Sequence, residues 1–404
     1  MQILFVSNKM PFPPKDGGSI ATFQHVWGLA SLGQHVTVLS LNTKKHNVDI
    51  SQIPSEITDK ITFKPYNLDT SLSAFDALKN LFFSSMPYNA ERFVSEGFEK
   101  YLIEVLQEQE YDIIQLEGLY LCPYIETIRK YSKALISFRA HNIEHEIWKR
   151  RLEREKNHMK GRYLKLLTNR LQVFEKSFVD KYDMLIPITQ RDAKCFVEFG
   201  NTKPMLVSPT GIDPDKYVPQ THLIQYPSVF HLGALDWFPN QEGLLWFLRN
   251  VWRYISKDFT ELKFYIAGRN APKWLIDEFK KFRNIVFVGE VDDAHEFLNK
   301  HSILVVPLLS GGGMRVKVIE GMALSKTIIS TPIGVEGIPV TVGKDVLIAS
   351  SPDEFMYCIE KLISNQDLCE EIGTNALAFV RQNFDSNVLA QELLDFYKKQ
   401  LNAL

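Results

Sequence analysis

Twelve short apolar runs alternate with helix-patterned stretches along the chain, and they fall into two blocks. The first block holds QILFVS (2–7), HVTVLS (35–40), ITFKPY (61–66), DIIQL (112–116), ALISF (134–138) and DMLIPI (183–188). The second holds SVFHLG (228–233), LKFYIAG (262–268), NIVFVG (284–289), SILVVP (302–307), KTIIST (326–331) and DVLIAS (345–350). Strand–helix alternation therefore predicts α/β units built on parallel, doubly wound sheets. Residues 209–227 interrupt the alternation with four prolines, a glycine and few apolar side chains, which reads as a linker. The expected organisation is one domain over 1–208 and a second over 228–384. The terminal segment 385–404 carries Leu389, Leu393 and Phe396 at helical spacing, so a helix should pack back on the first domain.

Composition narrows the function classes. At 404 residues, two cores are the natural expectation. A formal net charge of −2 argues against a nucleic-acid binder, which needs a strongly basic domain. The four cysteines form no C-x-x-C pair, so neither a zinc knuckle nor a dithiol redox site is readable. The opening MQILFVS reads as a strand rather than a signal peptide, and no window approaches the ~18 apolar residues of a membrane span. These features predict a cytoplasmic protein. Residues 149–181 are an exception to the even charge, with 11 Lys/Arg against 4 Asp/Glu. Leu164, Leu167, Leu171, Phe174 and Phe178 form a core stripe within them, leaving the charges as either a solvated face or a basic surface for an anionic membrane.

The densest chemical signal is PLLSGGGMRVKVIEGMA (307–323). A strand ends, three glycines follow, and a helix begins. Glycines let backbone N–H groups approach a ligand, a helix start favours an anion, and Arg315 and Lys317 add fixed positive charge. That combination suits a diphosphate, and it is not a G-x-x-x-x-G-K-[ST] loop. Glu320 shares a helix face with Lys317, so the two could form a surface ion pair. Alternatively, Gly321 and Ala323 press this helix against the sheet and set Glu320 in the crevice, where a carboxylate can accept two ribose hydroxyls.

From this point the chain resembles a known family. GGGMRVKVIEGMALSKTIISTPIGVEGI (311–338), GQHVTVL, SPTGID and the Gly17-Gly18 loop look like those of the retaining glycosyltransferases of family 4, the group 1 transferases with the GT-B fold of two Rossmann-like domains around a cleft. The resemblance implies that Glu320 binds the donor ribose. It assigns the diphosphate to Arg315, Lys317 and the Gly311, Gly312, Gly313 and Met314 segment, and the base to Glu290 and Val291. It gives the Gly17-Gly18 loop a place over the diphosphate. Two departures mark a subgroup with a GGGxRxK donor loop. Gly312 stands where the family often has the first Glu of Glu-x7-Glu, and HLGALDWFPN (231–240) lacks the Arg and Lys often found there.

His141, in FRAHNIEHEIW (138–148), follows a strand, and the resemblance gives it a contact to the donor sugar. Asn142 and Glu144 are weaker candidates. His141 to His145 also spells H-x-x-E-H, a zinc-peptidase pattern that needs both histidines on one helix face. Asp213-Pro214-Asp215 matches a D-x-D signature but falls in the linker, where it reads as a turn. The expected function is retaining, metal-independent glycosyl transfer with no cofactor, with His141, Arg315 and Lys317 as catalytic groups. The expected donor is a UDP- or GDP-sugar, and the acceptor a saccharide or a lipid-linked molecule of polysaccharide or glycoconjugate biosynthesis. The alternatives are a non-catalytic nucleotide-sugar binder, a sugar-nucleotide epimerase and the zinc peptidase.

Overall fold

The computed structural model describes residues 1–403 except 15, 45, 46, 72 and 154, and only the backbone of 74 and 77. Two compact units emerge: 1–211 together with 386–404, and 212–385. All twelve apolar runs of the sequence are strands. In the first unit they are β1 (Gln2–Ser7), β2 (His35–Asn42), β3 (Ile61–Asn67), β4 (Ile113–Glu117), β5 (Leu135–Ala140) and β6 (Met184–Pro187). In the second they are β7 (Gln225–Leu232), β8 (Phe264–Ala267), β9 (Ile285–Gly289), β10 (His301–Val306), β11 (Thr327–Ser330) and β12 (Leu347–Ile348). β7 thus starts inside the proline-rich stretch 209–227. β12 is only a stub of the expected run 345–350, because the chain turns tightly at Gly343, where the Gly343 N–H bonds the Val346 carbonyl at 2.8 Å.

Both sheets are wholly parallel and share one topology. The first runs β3-β2-β1-β4-β5-β6, and the second, read from its β9 edge, runs β9-β8-β7-β10-β11-β12. Ile3 of β1 pairs with Val36 on one side and Ile113 on the other. β1 and β10 are buried along nearly their whole length, as strands covered on both faces must be. In this strand order the connections reverse direction between the first and fourth strands, and the crevice there, outside the strands' carboxyl ends, is where such sheets bind ligands. The switch lies between β1 and β4 in the first unit and between β7 and β10 in the second.

The helix Ser386–Leu401 returns to the first unit and buries Leu389, Ala390, Leu393, Leu394 and Tyr397. Tyr397, rather than Phe396, is its fully buried aromatic. Its partner is the helix Gly17–Ser31. A Cβ on Gly28 would sit 2.5 Å from that of Ala390, so this approach requires glycine. Among the described residues, no helix is long and apolar enough to cross a membrane.

Candidate functional site

At the switch point of the second unit, β7 ends in His231-Leu232, Gly233 follows it, and β10 leads into the glycine loop. Gly311 (φ 109°) and Gly313 (φ 72°) adopt the left-handed backbone that glycine tolerates, and these bends fold the loop over itself. Arg315 closes it. Its Nη1 donates to the Gly313 carbonyl at 2.6 Å and to the Gly312 carbonyl, and its guanidinium lies 5.6 Å from the centre of the Trp237 ring. Arg315 therefore braces the loop. Met314 packs with Val318 and Ile319 in the apolar cluster beneath.

The helix Val316–Ala323 starts at Arg315 and carries Lys317 and Glu320. Gly321 explains its depth: a Cβ there would lie 2.8 Å from Leu304 Cδ2 of β10. Lys317 and Glu320 do not pair with each other. Lys317 Nζ donates to Asn240 Oδ1 at 2.9 Å and approaches His231 Nε2 at 3.4 Å. His231 Nδ1 lies 2.9 Å from the Val305 carbonyl, so its proton sits on Nδ1 and Nε2 accepts from the lysine. Asn240 is itself oriented by its amide donating to the Ala234 carbonyl at 2.8 Å. Burial, followed by the charge of Arg315, pulls the Lys317 amine down to about 7. Burial, followed by Lys317, holds the His231 imidazole well below its ordinary value, so it is neutral.

Glu320 Oε1 accepts from the Tyr217 hydroxyl at 2.9 Å, and the Tyr217 ring lies 4.3 Å from that of His295. Burial raises the Glu320 carboxyl while the tyrosine bond opposes the rise. After β9, Val291 packs on the same apolar cluster as Met314 and Tyr217, and Glu290 is exposed beside it. Asp213 and Asp215 form the turn expected of them: Asp213 Oδ1 accepts from the Asp215 N–H at 3.2 Å, and Asp213 pairs with Lys216 at 3.5 Å.

The first unit builds a separate polar cluster at its own switch point. Gly17 and Gly18 open the helix Gly17–Ser31, capped by Asp16, whose carboxylate holds Lys9 Nζ at 2.5 Å. One turn on, Thr22 Oγ1 donates to Glu117 Oε2 at 2.9 Å, and the same oxygen lies 2.7 Å from His141 Nε2. Arg139 stands 3.8 Å away and donates to the Ala21 carbonyl at 2.7 Å. Burial opposes ionisation of Glu117, but Arg139 and His141 outweigh it and hold the carboxyl well below the usual range. Burial lowers His141, with Glu117 opposing, so the ring is neutral with its proton on Nε2 and an acceptor at Nδ1.

The zinc-peptidase reading fails on this geometry. His141 lies in the loop after β5, His145 lies in the helix Glu144–Glu153, and His145 Nδ1 turns instead to Glu175 at 2.6 Å. Glu144 is bound to the Tyr120 hydroxyl at 2.8 Å, and burial raises it to about 7.

Residues 226–365 match the family model described as glycosyl transferases group 1. This stretch is a group 1 glycosyl transferase domain. It contains the glycine loop, Lys317, Glu320, His231 and Asn240. Along its whole length the chain is similar to an uncharacterised 44.6 kDa protein in the cps region of Klebsiella pneumoniae, at 25% identity over 95% of this chain and 97% of that one. In fold it is similar to sucrose-phosphate synthase from Thermosynechococcus elongatus, with a TM-score of 0.76, 14% identity and full coverage of both chains. It is also similar to Anabaena HepE solved with UDP-glucose, with a TM-score of 0.65, 14% identity and full coverage of both. The chain has the GT-B fold, with two Rossmann-like units.

Four residues that hold the predicted groups escaped the sequence reading: His231, Asn240 and Tyr217 around the transferase domain's loop, and Glu117 in the first unit. His231 and Glu117 both stand at the carboxyl end of a strand flanking a switch point and are followed at once or nearly so by glycine. That position was the available signal.

Proposed function

We propose that this chain is a retaining, metal-independent glycosyltransferase that moves a sugar from a nucleoside-diphosphate sugar to an acceptor hydroxyl. The observation that supports this most is the Lys317 amine, held by Asn240 and His231 at the carboxyl ends of β7 and β10, one turn from the Glu320 carboxylate. A cation beside a glycine loop suits a diphosphate, and a carboxylate one turn on suits a ribose. In transfer, the bond from the sugar's anomeric carbon to the diphosphate breaks and a bond to the acceptor oxygen forms on the same face. The acceptor's proton passes to the departing phosphate oxygen. Negative charge grows on that oxygen, and Lys317 would stabilise it, with Arg315 keeping the loop in place. Glu290 and Val291 are assigned to the base and the Gly311–Gly313 amides to the diphosphate. Nδ1 of His141 is assigned to a sugar hydroxyl and the Gly17-Gly18 helix start to an anion. No cofactor enters this scheme.

We assign the donor to the UDP- or GDP-sugars, with the UDP-glucose-bound relative favouring uridine, and the acceptor to a saccharide or lipid-linked molecule of cell-surface glycan synthesis in the cytoplasm. The test is donor turnover against a panel of saccharide acceptors in chelator, with the anomeric configuration of the product read by NMR. Retention without added metal is expected. Inversion, rescue only by magnesium or manganese, or nucleotide-sugar binding without transfer to any acceptor would overturn it.

A further inference from the structure

In the helix Ala74–Phe83, Asn80 and the half-buried Leu81 turn inward, while Asp76 and Lys79 stay exposed. Asn80 is buried and donates its amide to the Met86 carbonyl at 2.8 Å and to Glu91. Phe75, Leu78 and Phe82 follow the i, i+3, i+7 spacing of one outward face and are 76%, 55% and 72% exposed, with Phe83 beside them at 84%. A helix face turned to water is normally polar.

Next to it runs the helix His158–Ser177. Arg170 joins the two, donating from Nη1 and Nη2 to the carbonyls of Asn80 and Leu81 at 3.3 and 3.0 Å. Leu164, Leu167, Leu171 and Phe174 face the core. On another face, Met159, Leu166 and Val173 recur every seven residues, all exposed, with Arg170 on the same side. The exposed apolar groups of the two helices thus lie on either side of Arg170.

Charge selects what can cover this surface. The longer helix contains Lys160, Arg162, Lys165, Arg170 and Lys176, and its single acid, Glu175, is turned inward to His145 and to the backbone N–H groups of Glu144 and His145. The short helix balances Asp76 with Lys79. The outward side is therefore apolar and aromatic, edged by cations, with no acid from the longer helix. A two-fold contact between copies of this chain would set those cations against themselves. An anionic bilayer takes the phenylalanines into its interface and the cations onto its headgroups, with both helices lying flat.

We infer that the helices Ala74–Phe83 and His158–Ser177 together form a docking surface for anionic lipid bilayers. This assignment stands apart from the transferase reading, and its test requires no turnover. The full chain is co-sedimented at low salt with vesicles of phosphatidylcholine alone and of phosphatidylcholine with about one third phosphatidylglycerol. Binding to the anionic vesicles alone is expected, weakening with added salt. The double variant Phe82→Ser/Phe83→Ser should weaken partitioning about tenfold or more, since each ring gives up apolar burial. Arg162→Gln/Lys165→Gln should weaken it about tenfold and flatten its salt dependence. Both pairs are exposed, so unchanged thermal melting verifies the fold of each variant. Failure of the wild-type chain to bind anionic vesicles would overturn the inference, as would binding indifferent to the phenylalanines. A concentration-dependent dimer abolished by Phe82→Ser/Phe83→Ser would assign the face to a second copy instead.

Discussion

Lys317 should make nucleotide-sugar binding depend on pH in a direction that the structure fixes. An unfolded lysine titrates near 10.4, whereas burial and Arg315 bring this one down to about 7. A drop of about three units corresponds to about 4 kcal/mol against the charged form. A bound diphosphate restores the charge, so binding takes up a proton wherever the free amine is neutral. Below about pH 7 the amine is already protonated and affinity is flat. Above it, affinity should fall with a slope that approaches tenfold per unit, about 16-fold between pH 7 and 8.5. The His231 imidazole, held well below its ordinary value, stays neutral across this range, and Asn240 does not titrate. Stability runs the other way. Between pH 7 and about 10.4 the unfolded chain binds the proton that the folded chain has lost, so this group makes folding more favourable as pH rises. Lys317→Met should abolish the pH slope of binding, weaken donor affinity and slow transfer about 10²–10³-fold. Its stability relative to wild type should fall from pH 6 to pH 9, because the cost of a buried charge is absent from the variant. Calorimetry with UDP-glucose, in buffers of differing ionisation heat, measures both affinity and proton uptake. A flat wild-type affinity from pH 6 to 8.5, or the same slope in Lys317→Met, would refute the coupling.

Glu320→Ala should weaken a free nucleoside diphosphate and the intact donor alike, by about 10- to 100-fold, because a ribose contact changes little along the reaction; titration of each ligand checks it. His141→Ala should slow transfer while leaving the affinity for free nucleotide near wild type, as separate kinetic and binding measurements will show. Glu117→Gln should cost about 3–5 kcal/mol in denaturant melts by stranding the buried Arg139. The wild-type contribution of Glu117 is present above an ordinary glutamate's pKa of about 4.3 and is lost as pH falls towards its depressed value. Gly321→Val should lower thermal stability by about 1–3 kcal/mol through the contact with Leu304 that a Cβ would force.

The strands were legible because their signal is local: runs such as SILVVP and QILFVS are apolar whatever lies beside them. The glycine loop was legible for the same reason, since Gly311 through Lys317 lie together in the chain. What the sequence concealed was reach. Lys317 is held by residues 86 and 77 positions earlier, His231 and Asn240, and Glu320 by Tyr217, 103 positions earlier. Only the return of β10 to β7 makes them neighbours. Arg315 shows the complementary difficulty. Its charge was plain, but its turn onto its own loop carbonyls depends on the left-handed bends at Gly311 and Gly313. The face formed by Phe75 and Phe82 was hidden because an apolar helical stripe in sequence reads as core, and only the inward Asn80 shows which side is covered.

The return of residues 386–401 to the first unit sets the order in which the molecule can be finished. Tyr397 puts its hydroxyl on Gln115 and fills the core beside Ser137, so without this helix a polar cluster and the apolar face of Gly17–Ser31 would lie open. Those residues leave the ribosome only after the whole of 212–385 has been made. The unit begun first is therefore completed last, while the unit begun second, being continuous in the chain, can close on its own schedule. During synthesis the nascent first half must wait, partly unsheathed, for its final helix, and cutting the chain at residue 385 would leave it permanently in that state.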